Sequence, residues 1–517
     1  MRWTCLLAAV LVAFIWTARR ERWQVRSERA SLVRPILPAE RGPVRAAAPP
    51  EVPPVFRAAI RLDVFTVDAD GRRCVVGRTP AATVPVPDGL WGVRVREGVS
   101  VRAVVEALRG HSVRALLLED VRPGELALIA ELRALEWLVL NTGRVPGDEL
   151  AWLASMPRLR HLELNVRGLA DKDLLHLRGL CALEHLDVYG NRIGDVGLRH
   201  IASLPRLAEL CLWRSNLTPE GVAQLRGAPC LRRLEFGGYG FDPATLVALA
   251  GHPRVTRLGF YHENDFDAAT LWHLRQFPAL EELVFEYCGN FTDEGIAQIA
   301  AIDGLRRLTF LDTDVDDTGL RHLGHLGQLE HLKLIDPEVT DVGMAHVGRM
   351  TGLRSLTIWN ANITERGLAA LRNLPRLEEL VLLDIDATDR VVALLPQGLR
   401  SLSVHGSGIR RPDVARLSRL EELSLWGTEV GDATLASIGR LRGLTRLDLE
   451  ETRVTSAGLV HLAGLVRLRT LGLRDTRVDD AGLAHLAKLP ALVSVDLRGT
   501  QVTRPWRPAA TRAPRRP

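Results

Sequence analysis

Two short pairs stand 24 residues apart in the chain, His161-x-Glu163 and His185-x-Asp187. Two imidazoles and two carboxylates form a donor set that suits zinc or a similar ion if all four face one another. The same slots carry His331-x-Lys333 later, where an ammonium cannot chelate. A repeated pattern therefore explains the pairs without a metal. No metal or other cofactor is expected, and these four residues are the metal candidate to test. Cys211 sits between Glu209 and Trp213 in the following copy of the pattern. A nucleophilic thiol needs a base and a field that favours thiolate. His185 is a conceivable base, but nearby carboxylates push a thiol the wrong way. Neither G-x-S-x-G, H-E-x-x-H nor G-x-G-x-x-G occurs, and the lysines, at 172, 333 and 488, form no Walker A loop. No catalytic residue is expected, and the chain reads as a non-enzyme.

What would position these side chains is a repeat. Leu444-x-x-Leu447-x-Leu449-x-x-Thr452-x-Val454 matches Leu468-x-x-Leu471-x-Leu473-x-x-Thr476-x-Val478 at a period of 24. The pattern opens at Val113 and recurs through Leu492 in 17 units, most of 24 residues, with two of 25 and three of 21 or 22. L-x-x-L-x-L reads as a short strand with its leucines in a core. The Thr that follows (Thr428, Thr452, Thr476, Thr500) or Asn191 suits backbone left unpaired where the chain turns away. An Asp next, at 195, 317, 341, 432 and 480, suits a helix N-cap. Gly-Leu-x-x-Leu-x-x-Leu, as at 458–465, puts leucines on one helical stripe. One unit cannot bury both faces alone, but stacked units can.

This pattern resembles the leucine-rich repeat family over residues 113–502. Its T-x-V-T-D-x-G-L stretch is similar to the cysteine-containing, GALA-like subfamily, without the F-box that often accompanies it. The resemblance implies an α/β solenoid, a horseshoe with a concave parallel sheet and convex helices, that binds partners on its concave face. At about 4.8 Å per strand, 17 strands span roughly 80 Å.

The residues around the last two leucines of each unit then form three concave lanes. The first carries His161, His185, Glu209, Arg233, Arg257, Glu282, Arg307 and His331, whose opposite charges can pair. The middle lane brings Glu163, Asp187 and Glu235. The third brings Tyr189, Trp213, Tyr261, Trp359 and Trp426, large rings that water alone would not require. These eight middle- and third-lane residues are the expected anchors and polar contacts for a protein partner. Stacking on sugar rings makes a cell-envelope glycan the alternative, and packing between rungs would also account for the rings. His176, His200, His322, His346, His461 and His485 share a slot in the helical half, away from this face.

Outside the repeat, residues 1–18 hold a hydrophobic leader, with Trp3 to Ala18 free of charge, which fits a signal anchor or a signal peptide. Arginines flank both its sides. An anchored body in the cytoplasm and an exported one in the envelope are both open, with membrane contact through 1–18. Residues 19–55 form a basic Pro/Ala-rich linker. Residues 56–112 read as an N-terminal capping region, with a hairpin through Ile60, Leu62 and Val64, a turn at Asp70-Gly71, and a helix over Val101–Leu108. Asp68-x-Asp70-Gly71 departs from a calcium loop in its Gly position. Residues 503–517 read as a basic, Pro-rich disordered tail behind a last strand that is a sheet edge.

The net charge is +5, yet residues 1–55 carry nine Arg against four Glu and residues 503–517 five Arg and no acid. The body is left at −5, which offers phosphate no attraction, so nucleic acid is not an expected partner. The six cysteines form no C-x-x-C pair and read as free thiols, mostly buried.

Overall fold

Each L-x-x-L-x-L segment is a strand, and each strand lies beside the next in parallel register. Leu210, for example, sits between Leu186 and Leu234, and Leu258 next to Leu283. The computed structural model describes residues 55–504 and Trp506, apart from 57, 68–72, 80–83, 86–89, 96–97, 122–123, 146, 190–191, 216, 239–241, 243, 263–265 and 406–407. The leader, nearly all of the linker, the Asp70-Gly71 turn, Asn191 and the tail beyond Trp506 lie outside these residues. Seventeen strands, from Ala115–Glu119 to Ser494–Asp496, follow the 17 sequence units one for one. Most span five residues, while the last four, beginning with Glu422–Ser424, span three. Among the described residues Ser494–Asp496 pairs only with Thr470–Gly472, so the sheet is open.

The strand leucines point into one continuous core that runs from Leu62 to Leu492. Where Phe replaces the third leucine, the rings stack rung on rung. Phe260–Phe285 and Phe285–Phe310 centroids stand 5.5 and 5.6 Å apart, with Phe266 and Phe291 packed edge-on. Such aromatic pairs add to simple area burial. The helical halves are short α-helices such as Asp293–Ala300, 3₁₀ segments such as Gly458–Gly464, or one followed by the other, as in Glu365–Leu368 and Ala369–Asn373.

The Asp residues expected as N-caps do something else. Asp195, Asp317, Asp341 and Asp432 are the first helical residues, and the cap position before them is Gly194, Asp316, Thr340 or Gly431. Each carboxylate instead reaches the following rung. Asp317 accepts from Thr340 N at 2.8 Å, Thr340 Oγ1 at 2.6 Å and Gly343 N at 2.9 Å. Asp341 does the same with Thr364 and Gly367, and Asp432 with Thr455. The Asp satisfies free N–H groups at the next helix start, so it links rungs rather than capping its own helix. The Thr after the strand behaves as its spacing suggests, with Thr428, Thr452 and Thr476 Oγ1 donating to the Leu carbonyl three residues back at 2.6–2.7 Å.

At the amino end, Leu62–Val67 and Arg73–Thr79 pair antiparallel as a hairpin. The helix Val101–Leu108 starts on Ser100, whose hydroxyl accepts from Ala103 N at 3.2 Å. The strand Trp91–Val95 has no counterpart in the sequence reading. It joins the hairpin to the first repeat strand by pairing with both Leu62–Val67 and Ala115–Glu119. Gly92 permits this approach, since a Cβ there would strike Ala115. At the carboxyl end, Thr503 and Arg504 N–H groups bond to Asp480, and Trp506 packs on the core. The first residues of the predicted tail are therefore seated.

Candidate binding face

The concave lanes form as the repeat requires, because alternate strand residues point away from the leucine core. One lane runs His161, His185, Glu209, Arg233, Arg257, Glu282 in register. The next runs Glu163, Asp187, Cys211, Glu235, Gly259. The third runs Asn165, Tyr189, Trp213, Gly237, Tyr261, Glu286. Beyond the third lane the chain turns through a left-handed residue in most rungs, such as Arg214, His262, Asp312, Asp336 or Asn360, each at φ between 48° and 61°. The turn keeps one more ladder bond, for instance Asp336 N to Trp359 O at 2.9 Å. Asp and Asn tolerate that backbone better than most residues.

The face begins next to an apolar patch. Phe65, Ala115, Leu117 and Val139 cluster on the concave side of the first rungs, with Trp137 packed against them. Trp137 stacks on His161 with ring centroids 3.7 Å apart, and His161 on His185 at 4.0 Å with rings nearly parallel. His161 Nε2 lies 2.8 Å from Glu163 Oε1, while His185 Nδ1 lies 3.0 Å from Glu209 Oε2. The two imidazoles thus face each other through their rings, not through their nitrogens, and their carboxylate partners lie two rungs apart. Among the described residues, no group of three or more His, Cys, Asp and Glu is placed to hold a metal ion.

Charge pairing continues along the first lane. Arg233 reaches Glu209 at 2.8 Å. Arg257 bridges Glu235 at 2.9 Å and Glu282 at 2.6 Å. Tyr261 donates to Glu235 Oε2 at 3.0 Å, and burial with that carboxylate pushes its phenol upward. Cys211 is buried, with Sγ 3.7 Å from Glu235 Oε2. Burial, then Glu235 and Asp187, raise its thiol well above the usual range, so it is a poor nucleophile.

Asp187 and Glu286 differ from the other carboxylates. Burial, with Glu163 adding repulsion, pushes Asp187 up to about 7, and the Trp213 indole N–H donates to it. Burial and Glu235 push Glu286 up to about 7 as well, against Arg257 and Lys333. Sequence spacing places Glu286 and Arg257 in the lanes without singling them out. What distinguishes them is burial and the spending of Arg257 on two other acids, which no lane diagram contains.

Tyr189, Trp213, Tyr261, Glu163, Asp187 and Glu235 come together in one patch. Trp213 and Tyr261 rings are 5.0 Å apart, and Arg214 lies over Tyr189 at 5.5 Å. Trp359 and Trp426 stand apart from it. Trp359 Nε1 donates to Asp384 Oδ2 at 2.9 Å, and Trp426 stacks on His405 at 3.9 Å. Every one of these rings has a neighbour on an adjacent rung and is half-buried.

A leucine-rich repeat family model matches residues 180–202, one helix end, strand and helix of the array. The register of all 17 strands extends that one unit over the body. The fold is that of a leucine-rich-repeat solenoid. No curated protein matches the sequence. Among solved structures, the solenoid is similar to an internalin of Listeria monocytogenes, with 20% identity, 68% of this chain and 89% of that one covered, and a TM-score of 0.34. It is also similar to a leucine-rich repeat protein of Leptospira interrogans, with 17% identity, 77% and 100% coverage, and a TM-score of 0.42.

Proposed function

We propose that the solenoid is a non-catalytic scaffold that recognises a protein partner on its concave face. The observation that carries this reading is the line of Tyr189, Trp213 and Tyr261 on consecutive or next-but-one rungs, half-buried and flanked by Asp187 and Glu235. Rings with one apolar face and one polar edge are favoured anchors in protein interfaces. Trp359 and Trp426 extend the same lane as separate contact points. The acid surplus beside the rings is the wrong sign for phosphate, which disfavours nucleic acid. The T-x-V-T-D-x-G-L stretch supports assignment to the cysteine-containing, GALA-like variety, and residues 1–18 support attachment to or export across a membrane. No helix of the described residues is long and apolar enough to cross one.

The test is a photo-crosslinking residue placed at Asn165 or Trp359 on the concave face, and at Val342 on the exposed convex side. A protein adduct of one recurring mass from the concave positions alone is expected, lost when Trp213 and Tyr261 are both changed to Ala. Equal adducts from both faces, or none, would sink the reading. Retention on immobilised polysaccharide without any protein adduct would move the assignment to glycan.

A further inference from the structure

Within the six rungs from His161 to Glu286 the three lanes hold six carboxyl groups and two guanidiniums. Four of the acids have partners: Glu163 lies against His161, Glu209 against His185 and Arg233, and Glu235 and Glu282 share Arg257. Asp187 receives only the Trp213 indole N–H, and Glu286 meets no cation at ion-pair distance among the described residues. These two therefore bracket the Trp213–Tyr261 pair with carboxyl groups that, among the described residues, no cation meets at ion-pair distance, although His185 lies near the first and Arg257 and Lys333 near the second. A half-buried acid without an ion pair carries part of the cost of desolvation uncompensated, and an incoming cation would offset it.

Resting on the scaffold reading, we propose that the concave sheet between Asp187 and Glu286 receives an extended, arginine-bearing segment of the partner protein, one guanidinium on each carboxyl and the chain between crossing Trp213 and Tyr261. The spacing sets the requirement. Asp187 and Glu286 lie four strands apart, about 19 Å at the usual inter-strand distance, which an extended chain covers in roughly six residues. Guanidinium suits the site because it pairs with carboxylate through two N–H groups and stacks on aromatic faces.

Proton release accompanies docking. Around neutral pH both acids hold part of a proton, since each is pushed up to about 7. Asp187 is faced by Glu163, His185, Cys211 and Glu235, and Glu286 by Glu235, Arg257, Tyr261 and Lys333. An arriving guanidinium favours the ionised forms, so affinity rises with pH between about 5.5 and 8.

The probe is a fluorescent heptapeptide with arginine at both ends and serine and glycine between, measured against the full chain at low salt. Its control has the same composition with the two arginines adjacent. The spaced peptide is expected to bind about fivefold tighter than the control, with affinity increasing from pH 5.5 to 8. Asp187→Asn with Glu286→Gln is expected to weaken it about tenfold and flatten the pH profile, while Asp475→Asn leaves it unchanged. Equal binding of both peptides, a flat profile in the unaltered protein, no binding by about 1 mM, or insensitivity to the double change would each overturn the proposal. A concave photo-adduct together with any of those results rejects the arginine site and leaves the scaffold reading intact. Absence of the adduct rejects both.

Discussion

Trp213 lies so close to Gly237 that a Cβ on the glycine would run into the six-membered part of its indole. The ring then meets Tyr261 on the rung beyond, 5.0 Å between centroids. Gly237 is thus the seat of the aromatic pair. It is a paired strand residue and not one of the glycines with positive φ, so its lack of a side chain matters here for space and not for conformation. Gly237→Ala should displace Trp213, at a cost of about 1–3 kcal/mol for forcing a methyl into filled space. Urea unfolding and near-ultraviolet dichroism would register the loss, and an unchanged spectrum and midpoint would refute the seating.

The Asp ladder predicts a different sensitivity. Asp341→Ala strips acceptors from Thr364 N, Thr364 Oγ1 and Gly367 N at once, and should cost about 1–3 kcal/mol. Burial raises the Asp341 carboxyl, but these donors outweigh it and hold the group below its usual value. Its folded pKa is therefore depressed. Its contribution is present above the unfolded carboxyl value, about 3.9, and is lost as pH falls through the folded one. Asp341→Ala should consequently narrow its deficit to the unaltered protein in strong acid, as read by urea midpoints at pH 7 and pH 3.

Asp187 and Glu286 carry the opposite sign. Their folded pKa values, about 7, lie above those of free carboxyls, so the native state holds protons that the unfolded chain releases. Stability from these groups is present below about pH 4 and lost as pH rises to about 7. Asp187→Asn with Glu286→Gln should raise the unfolding midpoint at pH 8 and leave it nearly unchanged at pH 4. A site that is kept at the expense of stability is expected to behave this way. A lower midpoint at pH 8 would mean that the two carboxylates are stabilising after all.

Histidines on the helical side oppose this trend. Burial, then Arg178 and Arg199, lower His200, and burial, then Arg349 and Arg321, lower His346. Groups with depressed folded pKa contribute stability above the unfolded value, about 6.5, that is lost as pH falls. Replacing His200 by Gln should reduce the drop in midpoint between pH 7 and pH 5.

Thiol reactivity separates two cysteines that look alike in sequence. Cys181 is exposed, whereas Cys211 is buried beneath Glu235 with its thiol pushed upward. Iodoacetamide at pH 7.5 should modify Cys181 first and Cys211 slowly, by intact-mass and peptide mapping. Glu235→Gln should speed Cys211. Comparable rates in the unaltered protein would show that the concave thiol is accessible and ionised.

The periodic leucines alone determined the solenoid, the register of its strands and the membership of each concave lane. Spacing along a chain dictates which side chains share a face, and 24 residues bring each position back to the same place on the next rung. Thus Trp213 next to Tyr189, and Asp187 next to Glu163, were legible from residue numbers. The Val101–Leu108 helix was legible too, because its apolar residues recur at helical spacing after a capping serine. The strand Trp91–Val95 was not, since it belongs to no repeat and is defined by partners on both sides of it in space.

Orientation within a lane was decided by tertiary structure. His185 stands as near to Asp187 in sequence as His161 does to Glu163, yet it turns to Glu209 on the next strand, and the four-residue donor set does not form. The same applies to the ladder, where Asp341 lies one residue past a cap position and reaches Thr364 instead. Hydrogen bonds and ion pairs depend on ångström distances between rungs and on which partner is already spent. A repeat pattern fixes neither, and that is why the lanes could be read from the sequence while Asp187 and Glu286, the acids left without an ion pair among the described residues, required the fold.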